Sequence, residues 1–277
     1  MPVSLITALA LWLVMLVGVL ALSQVLPPTA ALLASQGLLF LGAILGVRLL
    51  PSWRGLPSVK KNLSLTAQPV GEIVLAGAAA VLLMPGLQML FDRVYRLFSG
   101  YAEYLADQQA IIGNDSLGLG YGILFLAVVV LPPLCEEAFF RGYLSSSLRS
   151  SGMSQGLIVL FGGLLFGLFH LDPWRLVPVS ILGMLMVWLV ETGGSLLAGA
   201  VFHLVNNGIV FLIAVLASSE TTTITDNAQL SPGQIFLAAG LFVLGGLVLA
   251  SYAKRARIRR SKGPRPFEVA GRPGSGL

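Results

Sequence analysis

The chain has 277 residues, of which 56% are hydrophobic and 10% are charged, whereas about a quarter of the residues in a soluble domain are charged. Apolar runs near the ~20-residue length that spans a bilayer recur throughout. This composition excludes an ordinary soluble domain and predicts an all-α polytopic membrane protein. The single cysteine excludes a disulfide framework. The net charge of +5 reflects basic residues beside apolar segments, which is a topology signal, so we expect no nucleic-acid partner.

Eight apolar runs are expected to cross the membrane. In chain order they cover about Leu5–Val25, Ala30–Leu50, Val70–Phe91, Gly120–Arg149, Gln155–Leu171, Leu176–Val190, Ser195–Ala217 and Gln234–Ala253. The first lacks a basic n-region and is long for a signal peptide, which favours an anchor over a cleaved signal. The fourth, at about 30 residues and ~1.5 Å per residue, exceeds a ~30 Å hydrocarbon core. We therefore expect it to tilt, protrude or kink, with Pro132-Pro133 as the kink site.

The basic residues predict the orientation. Of the 17 Lys and Arg, 13 fall in segments that eight crossings place inside, three fall outside, and Arg141 lies in the fourth run. By the positive-inside rule both termini are then cytoplasmic. The segment 92–119 is expected outside, as a surface helix against the membrane. The basic tail, 254–277, is expected to be disordered and to contact anionic lipid.

The fourth run carries charges near hydrocarbon, where a charge marks a functional site by default. Glu137 and Arg141 are four residues apart, so they share a helix face and can form an ion pair. Such a pair can be purely structural. Glu136 points about 100° away from that face, which makes it the better candidate for chemistry. Cys135 lies in apolar surroundings, where a thiol stays protonated and inert.

The only two histidines, His170 and His203, lie in later apolar runs. If runs four and five form a hairpin that turns near Gly152, Glu136 and His170 lie at similar heights. The alternative for His170 is a histidine at a helix end that hydrogen-bonds a carbonyl group. His203 and Asn207 share a helix face and both can donate hydrogen bonds; ordinary polar contact between helices is the alternative there.

Three motifs on separate helices resemble those of the CPBP family, also called Abi. They are Glu136-Glu137-x-x-x-Arg141, Phe166-x-x-x-His170 and His203-x-x-x-Asn207. The family joins CAAX prenyl endopeptidases with bacterial bacteriocin-processing and immunity proteins. The resemblance covers about Gly120 to Leu216. We therefore expect three parts: N-terminal transmembrane helices with an outer amphipathic segment (1–119), a catalytic core (120–253) and the basic tail (254–277).

The resemblance implies an intramembrane endopeptidase. Glu136 and His170 would activate a water, while His203 and Asn207 would hold the oxyanion. Burial raises the pKa of a carboxylate toward the range that is useful for a general base. Preorganised hydrogen-bond donors stabilise the negative charge that develops on the oxyanion. The substrate would be a peptide or membrane-protein segment, not necessarily prenylated, and the location a bacterial plasma membrane. Glu137 and Arg141 would brace the helix.

No cofactor is favoured, although a zinc site is one alternative. Glu136, His170 and His203 supply the three ligands that a catalytic zinc needs. Asn207, however, suits an oxyanion donor better than a metal ligand. A zinc-bound histidine also usually needs a second hydrogen-bond acceptor, and no spare carboxylate is evident near His203. A metal-independent mechanism is therefore expected.

Two functions without proteolysis remain open. An immunity or scaffold protein would use the polar cluster for stability, so substitutions in it would lower abundance. A proton-coupled transporter would use the acids and histidines as a relay and would respond to a proton gradient.

Reporter fusions test the orientation. Fusions after Lys61, within 103–115, after Ser219 and at the C-terminus are expected to report inside, outside, outside and inside, because basic segments stay in the cytoplasm. A cytoplasmic signal from the fusion within 103–115 would contradict the arrangement of eight crossings.

Overall fold

The computed structural model describes residues 3–49, 63–113, 120–219 and 231–262, and most of these residues are helical. Within this part we number nine helices. They are α1 Val3–Val25, α2 Pro28–Leu49, α3 Val70–Tyr95, α4 Tyr101–Gly113, α5 Gly120–Ser150, α6 Gln155–Leu168, α7 Pro173–Gly193, α8 Leu196–Ser219 and α9 Pro232–Ser261.

Seven of these helices are long and apolar enough to cross a membrane, by length and composition. The expected fold class, an all-α polytopic membrane protein, is confirmed. The run predicted at Gln155–Leu171 forms the apolar helix α6, which has 14 residues and is therefore only about 21 Å long. The expected surface helix in the segment 92–119 corresponds to α4. Its residue Tyr104 accepts a hydrogen bond from Nε of Arg175 (3.1 Å), which ties α4 to the start of α7.

Helix α5 widens one turn before its two prolines. Over Leu126–Val130 the backbone is π-helical, and the N–H of Leu131 bonds the carbonyl of Leu126, five residues earlier. A proline has no N–H, so Pro132 cannot bond the carbonyl of Val128, four residues before it. The predicted distortion at Pro132-Pro133 therefore appears as a wide turn that precedes the prolines. A second π-helical stretch covers Ala138–Leu144.

Helices α5 and α6 form the predicted hairpin. Gly152 lies between them in the left-handed region, at φ 83°, which glycine adopts without a Cβ penalty. Phe140 of α5 packs edge-to-face on Phe166 of α6 and on Phe169, the residue just beyond the end of α6, with centroid distances of 5.0 and 5.3 Å. These contacts fix the height of the α6 C-terminus relative to the middle of α5.

Glycines at positions 163 and 167 allow α6 to approach α7 closely. A Cβ at Gly163 would lie 2.7 Å from the backbone nitrogen of Met184, and one at Gly167 would lie 2.8 Å from the carbonyl oxygen of Leu176. The spacing of small residues that permits close helix contact is thus used against α7. This contact brings the α7 backbone near the charged side chain of Arg141 on α5.

Helix α9 extends further than the sequence predicts. Residues 254–261, expected to belong to a disordered tail, continue this helix to Ser261. The reason is a set of contacts near its end. Arg259 binds the buried carboxylate of Glu72 through two nitrogens, at 2.9 and 3.0 Å, and Arg260 donates to the carbonyl groups of Glu191 and Thr192. The tail beyond residue 262 lies outside the described residues.

Candidate active site

The carboxylate of Glu137 lies between two cationic or potentially cationic side chains. Nη1 of Arg141 lies 2.9 Å from Oε1 of Glu137, and Nδ1 of His203 lies 2.9 Å from the same oxygen. The Arg141 contact is an ion pair whose angle departs from hydrogen-bond geometry. The side chains of Glu137 and Arg141 are 1% and 0% exposed. The i, i+4 pair expected from sequence is present, and it also orients a histidine.

Arg141 has further contacts around its guanidinium group. Its Cζ lies 4.1 Å from the centroid of the Phe166 ring, an arrangement in which the π face attracts the cation. Its Nη2 donates to the carbonyl of Gly183 at 3.4 Å. A desolvated charge is retained in an interior only when nearby groups compensate it. Arg141 thus joins α5 to both α6 and α7 at the level of the site.

Glu136 has a hydrogen-bond partner of its own on another helix, and it lies near the ring nitrogen of His203 that does not contact Glu137. Nε2 of Gln36, on α2, donates a hydrogen bond of 2.9 Å to Oε1 of Glu136. Oε2 of Glu136 lies 3.9 Å from Nε2 of His203. Sequence reasoning missed Gln36. The available signal was an amide side chain inside the second apolar run, where polar groups need partners.

His170 lies just beyond α6 and contacts the site through Phe166. Its Nδ1 lies 2.9 Å from the carbonyl oxygen of Phe166. The Phe166 ring also packs edge-to-face on the rings of His170 (5.1 Å) and His203 (5.9 Å). The hydrogen bond to Phe166 is the one expected if His170 only caps the end of a helix. The other ring nitrogen, Nε2, is not used by this bond and can take part in a reaction.

The partners of Nδ1 determine which nitrogen of each histidine carries a proton. A carbonyl oxygen accepts hydrogen bonds only, so Nδ1 of His170 donates to Phe166. In the neutral ring, Nε2 of His170 is then an acceptor. By the same reasoning Nδ1 of His203 donates to the ionised Glu137, and Nε2 of His203 can donate only in the doubly protonated ring.

Asn207 is held by the distorted part of α5. Its Nδ2 donates to the carbonyl of Val128 at 3.0 Å, which is the carbonyl that Pro132 leaves without an i+4 donor. Its Oδ1 accepts a hydrogen bond from Nδ2 of Asn206 at 2.9 Å. One hydrogen on Nδ2 of Asn207 is not engaged by Val128. The proline thus creates the acceptor that fixes this carboxamide.

One premise against zinc is wrong. No spare carboxylate was expected near His203, yet Glu137 lies 2.9 Å from its Nδ1 and could act as the second hydrogen-bond acceptor of a metal-bound imidazole. The sequence missed this contact because Glu137 and His203 lie on helices whose relative rotation depends on packing. Among the described residues, no group of three or more His, Cys, Asp or Glu side chains has an arrangement that could hold a metal ion.

Part of the chain matches a known protein family. Residues 119–209 match the family model described as type II CAAX prenyl endopeptidase, Rce1-like. The matched segment includes all the motif residues and excludes α1 to α4 and α9. No curated protein and no solved structure matches the chain.

Substitution of Arg141 tests whether Glu137 depends on it. Arg141→Ala is expected to destabilise the protein by about 3–5 kcal/mol, because removing one partner leaves the other charge buried. The measurement is the melting temperature in detergent, together with accumulation in membranes. Glu136→Gln is the matched comparison on the same helix and is expected to accumulate normally, since its amide oxygen can still accept from Gln36. A stable Arg141→Ala protein beside a misfolded Glu136→Gln protein would reverse the two assignments.

Proposed function

We propose that the protein is an intramembrane endopeptidase that hydrolyses a peptide or membrane-protein substrate with a water activated by Glu136 and His170. The match of residues 119–209 to the Rce1-like model of type II CAAX prenyl endopeptidases supports this proposal. The observation that carries this proposal is that the two adjacent acids have different hydrogen-bond and ion-pair partners. Glu137 is committed to Arg141 and His203, whereas Glu136 has only a neutral amide as its hydrogen-bond donor. Glu136 is therefore the acid whose carboxylate is not held by an ion pair with an arginine, and it is assigned to the water.

In the proposed reaction, one O–H of the water donates to Glu136 and the other to Nε2 of His170. Glu136 takes a proton as the water oxygen attacks the substrate carbonyl carbon. When the tetrahedral intermediate collapses, the C–N bond breaks and the proton on Glu136 passes to the leaving amine. The products are a carboxylic acid and an amine, so atoms and charge balance. General-base assistance of this kind typically contributes about 10²–10⁴ in rate.

His203 and Asn207 would stabilise the oxyanion. Doubly protonated His203 donates through Nε2, since its Nδ1 is engaged by Glu137, and Asn207 donates the Nδ2 hydrogen that does not bond Val128. Loss of one such donor typically lowers the rate about 10²–10³-fold. Glu137 and Arg141 would not touch substrate. Their part would be to hold the imidazolium of His203 in place.

Mass spectrometry of membrane peptides tests the proposed activity. Cells that contain the wild-type protein are expected to accumulate cleavage products that are missing with Glu136→Gln at equal abundance. Cys135→Ala is the matched control, because it changes the neighbouring residue and removes the thiol; it is expected to give wild-type products. Identical product sets for wild type and Glu136→Gln would contradict proteolysis at this site.

Prolonged chelation tests the expectation of a metal-independent mechanism. Purified protein is expected to keep its activity after strong chelation, because the two groups assigned to the water need no Lewis acid. Elemental analysis is expected to give well under one zinc per chain. Loss of cleavage on chelation, with recovery on adding zinc, would make Glu136, His170 and His203 ligands instead.

A further inference from the structure

Helix α2, which lies outside the family match, packs its backbone directly against α5. A Cβ at Gly42 would lie 3.3 Å from the Phe139 ring, and one at Gly46 would lie 2.6 Å from the Tyr143 ring. Glycine at these two positions therefore permits a close approach that a larger residue would prevent. Gln36 lies less than two turns before Gly42 on the same helix and is brought to the level of Glu136.

The amide of Gln36 is buried, with 4% of the residue exposed. Its Nε2 donates to Oε1 of Glu136 at 2.9 Å, and this orientation is required because only the N–H side of an amide can face an ionised carboxylate. Its own Oε1 is buried and has no hydrogen-bond partner among the described residues. A buried amide oxygen without a donor is unfavourable in the resting protein, so the position calls for a donor that arrives from outside.

The donor can be identified by its chemistry. In the proposed reaction both O–H groups of the water are directed to Glu136 and His170. The donors that every peptide substrate brings to the site, whatever its sequence, are its backbone N–H groups. These groups lose their water in an apolar interior and need an acceptor there.

We propose that Gln36 is a positioning residue with two functions: its Nε2 holds the carboxylate of Glu136, and its Oε1 accepts a hydrogen bond from a backbone N–H of the substrate. This inference rests on the proposed function. It adds a substrate contact from a helix outside the matched segment and makes the site select an unmodified peptide backbone next to the reacting bond.

The test uses full-length protein in detergent and a synthetic peptide that spans a cleavage site found in the membrane-peptide comparison. Gln36→Leu is expected to lower kcat about 10²-fold, since a misplaced catalytic group costs about that much. Loss of the substrate hydrogen bond is expected to raise KM about 10-fold. Gln36→Met, which is unbranched and of similar length, serves if Gln36→Leu does not fold. The melting temperature verifies folding in each case.

Ser35→Ala is the matched control. Ser35 is also buried on α2, but its hydroxyl bonds the carbonyl of Leu32 in its own helix at 2.7 Å. It is expected to leave kcat and KM unchanged. In a series of peptides, each backbone N–H in turn is replaced by an ester oxygen. This series distinguishes a direct hydrogen bond from Gln36 to the substrate from a purely structural role of Gln36. One ester is expected to raise KM about 10-fold for wild type and to have no effect in Gln36→Leu.

The outcomes separate this inference from the proposed function. Suppose that wild type cleaves the peptide, that Glu136→Gln does not, and that folded Gln36→Leu has wild-type kcat and KM. The positioning role of Gln36 is then refuted, whereas the proposed function stands. If kcat falls but no ester loses its effect in Gln36→Leu, the substrate contact is refuted. Identical product sets for wild type and Glu136→Gln in the membrane-peptide comparison would overturn both.

Discussion

The site depends on one buried carboxylate, that of Glu137, whose Oε1 lies 2.9 Å from both Arg141 and His203. Without this negative charge the buried guanidinium group of Arg141 would be uncompensated, which is strongly unfavourable. Glu137 therefore joins α5 to α8 and lets Arg141 sit on the Phe166 ring of α6. Three helices obtain their relative placement from the same charge cluster.

Helix geometry also places the other two polar side chains of the site, those of Glu136 and Asn207. Glu136 points away from Arg141 and meets the neutral amide of Gln36. Pro132 removes the i+4 donor for the carbonyl of Val128, and Asn207 donates to that carbonyl. A backbone irregularity thus fixes the carboxamide of α8, in line with the frequent placement of π-bulges at functional sites.

Local geometry made part of this arrangement predictable. The Glu137–Arg141 pair follows from i, i+4 spacing, and the hairpin of α5 and α6 follows from the apolar runs on either side of Gly152. The contacts of Gln36 with Glu136 and of His203 with Glu137 were missed, since they join residues 100 and 66 positions apart. Such contacts depend on how helices rotate and pack, which apolar periodicity alone does not determine. The helical continuation of α9 was missed because Arg259 finds a buried partner, Glu72, on a distant helix.

Nitrogen NMR of the histidine rings tests the central claim most directly. The chain has only two histidines, so ¹⁵N-histidine labelling gives two ring systems, and His170→Asn assigns them. If Glu137 organises the site, Nδ1 of His203 carries a proton at neutral pH and shows the shift of a nitrogen that donates to a carboxylate. A neutral His203 ring that is protonated only at Nε2, with Nδ1 bare, would contradict the account.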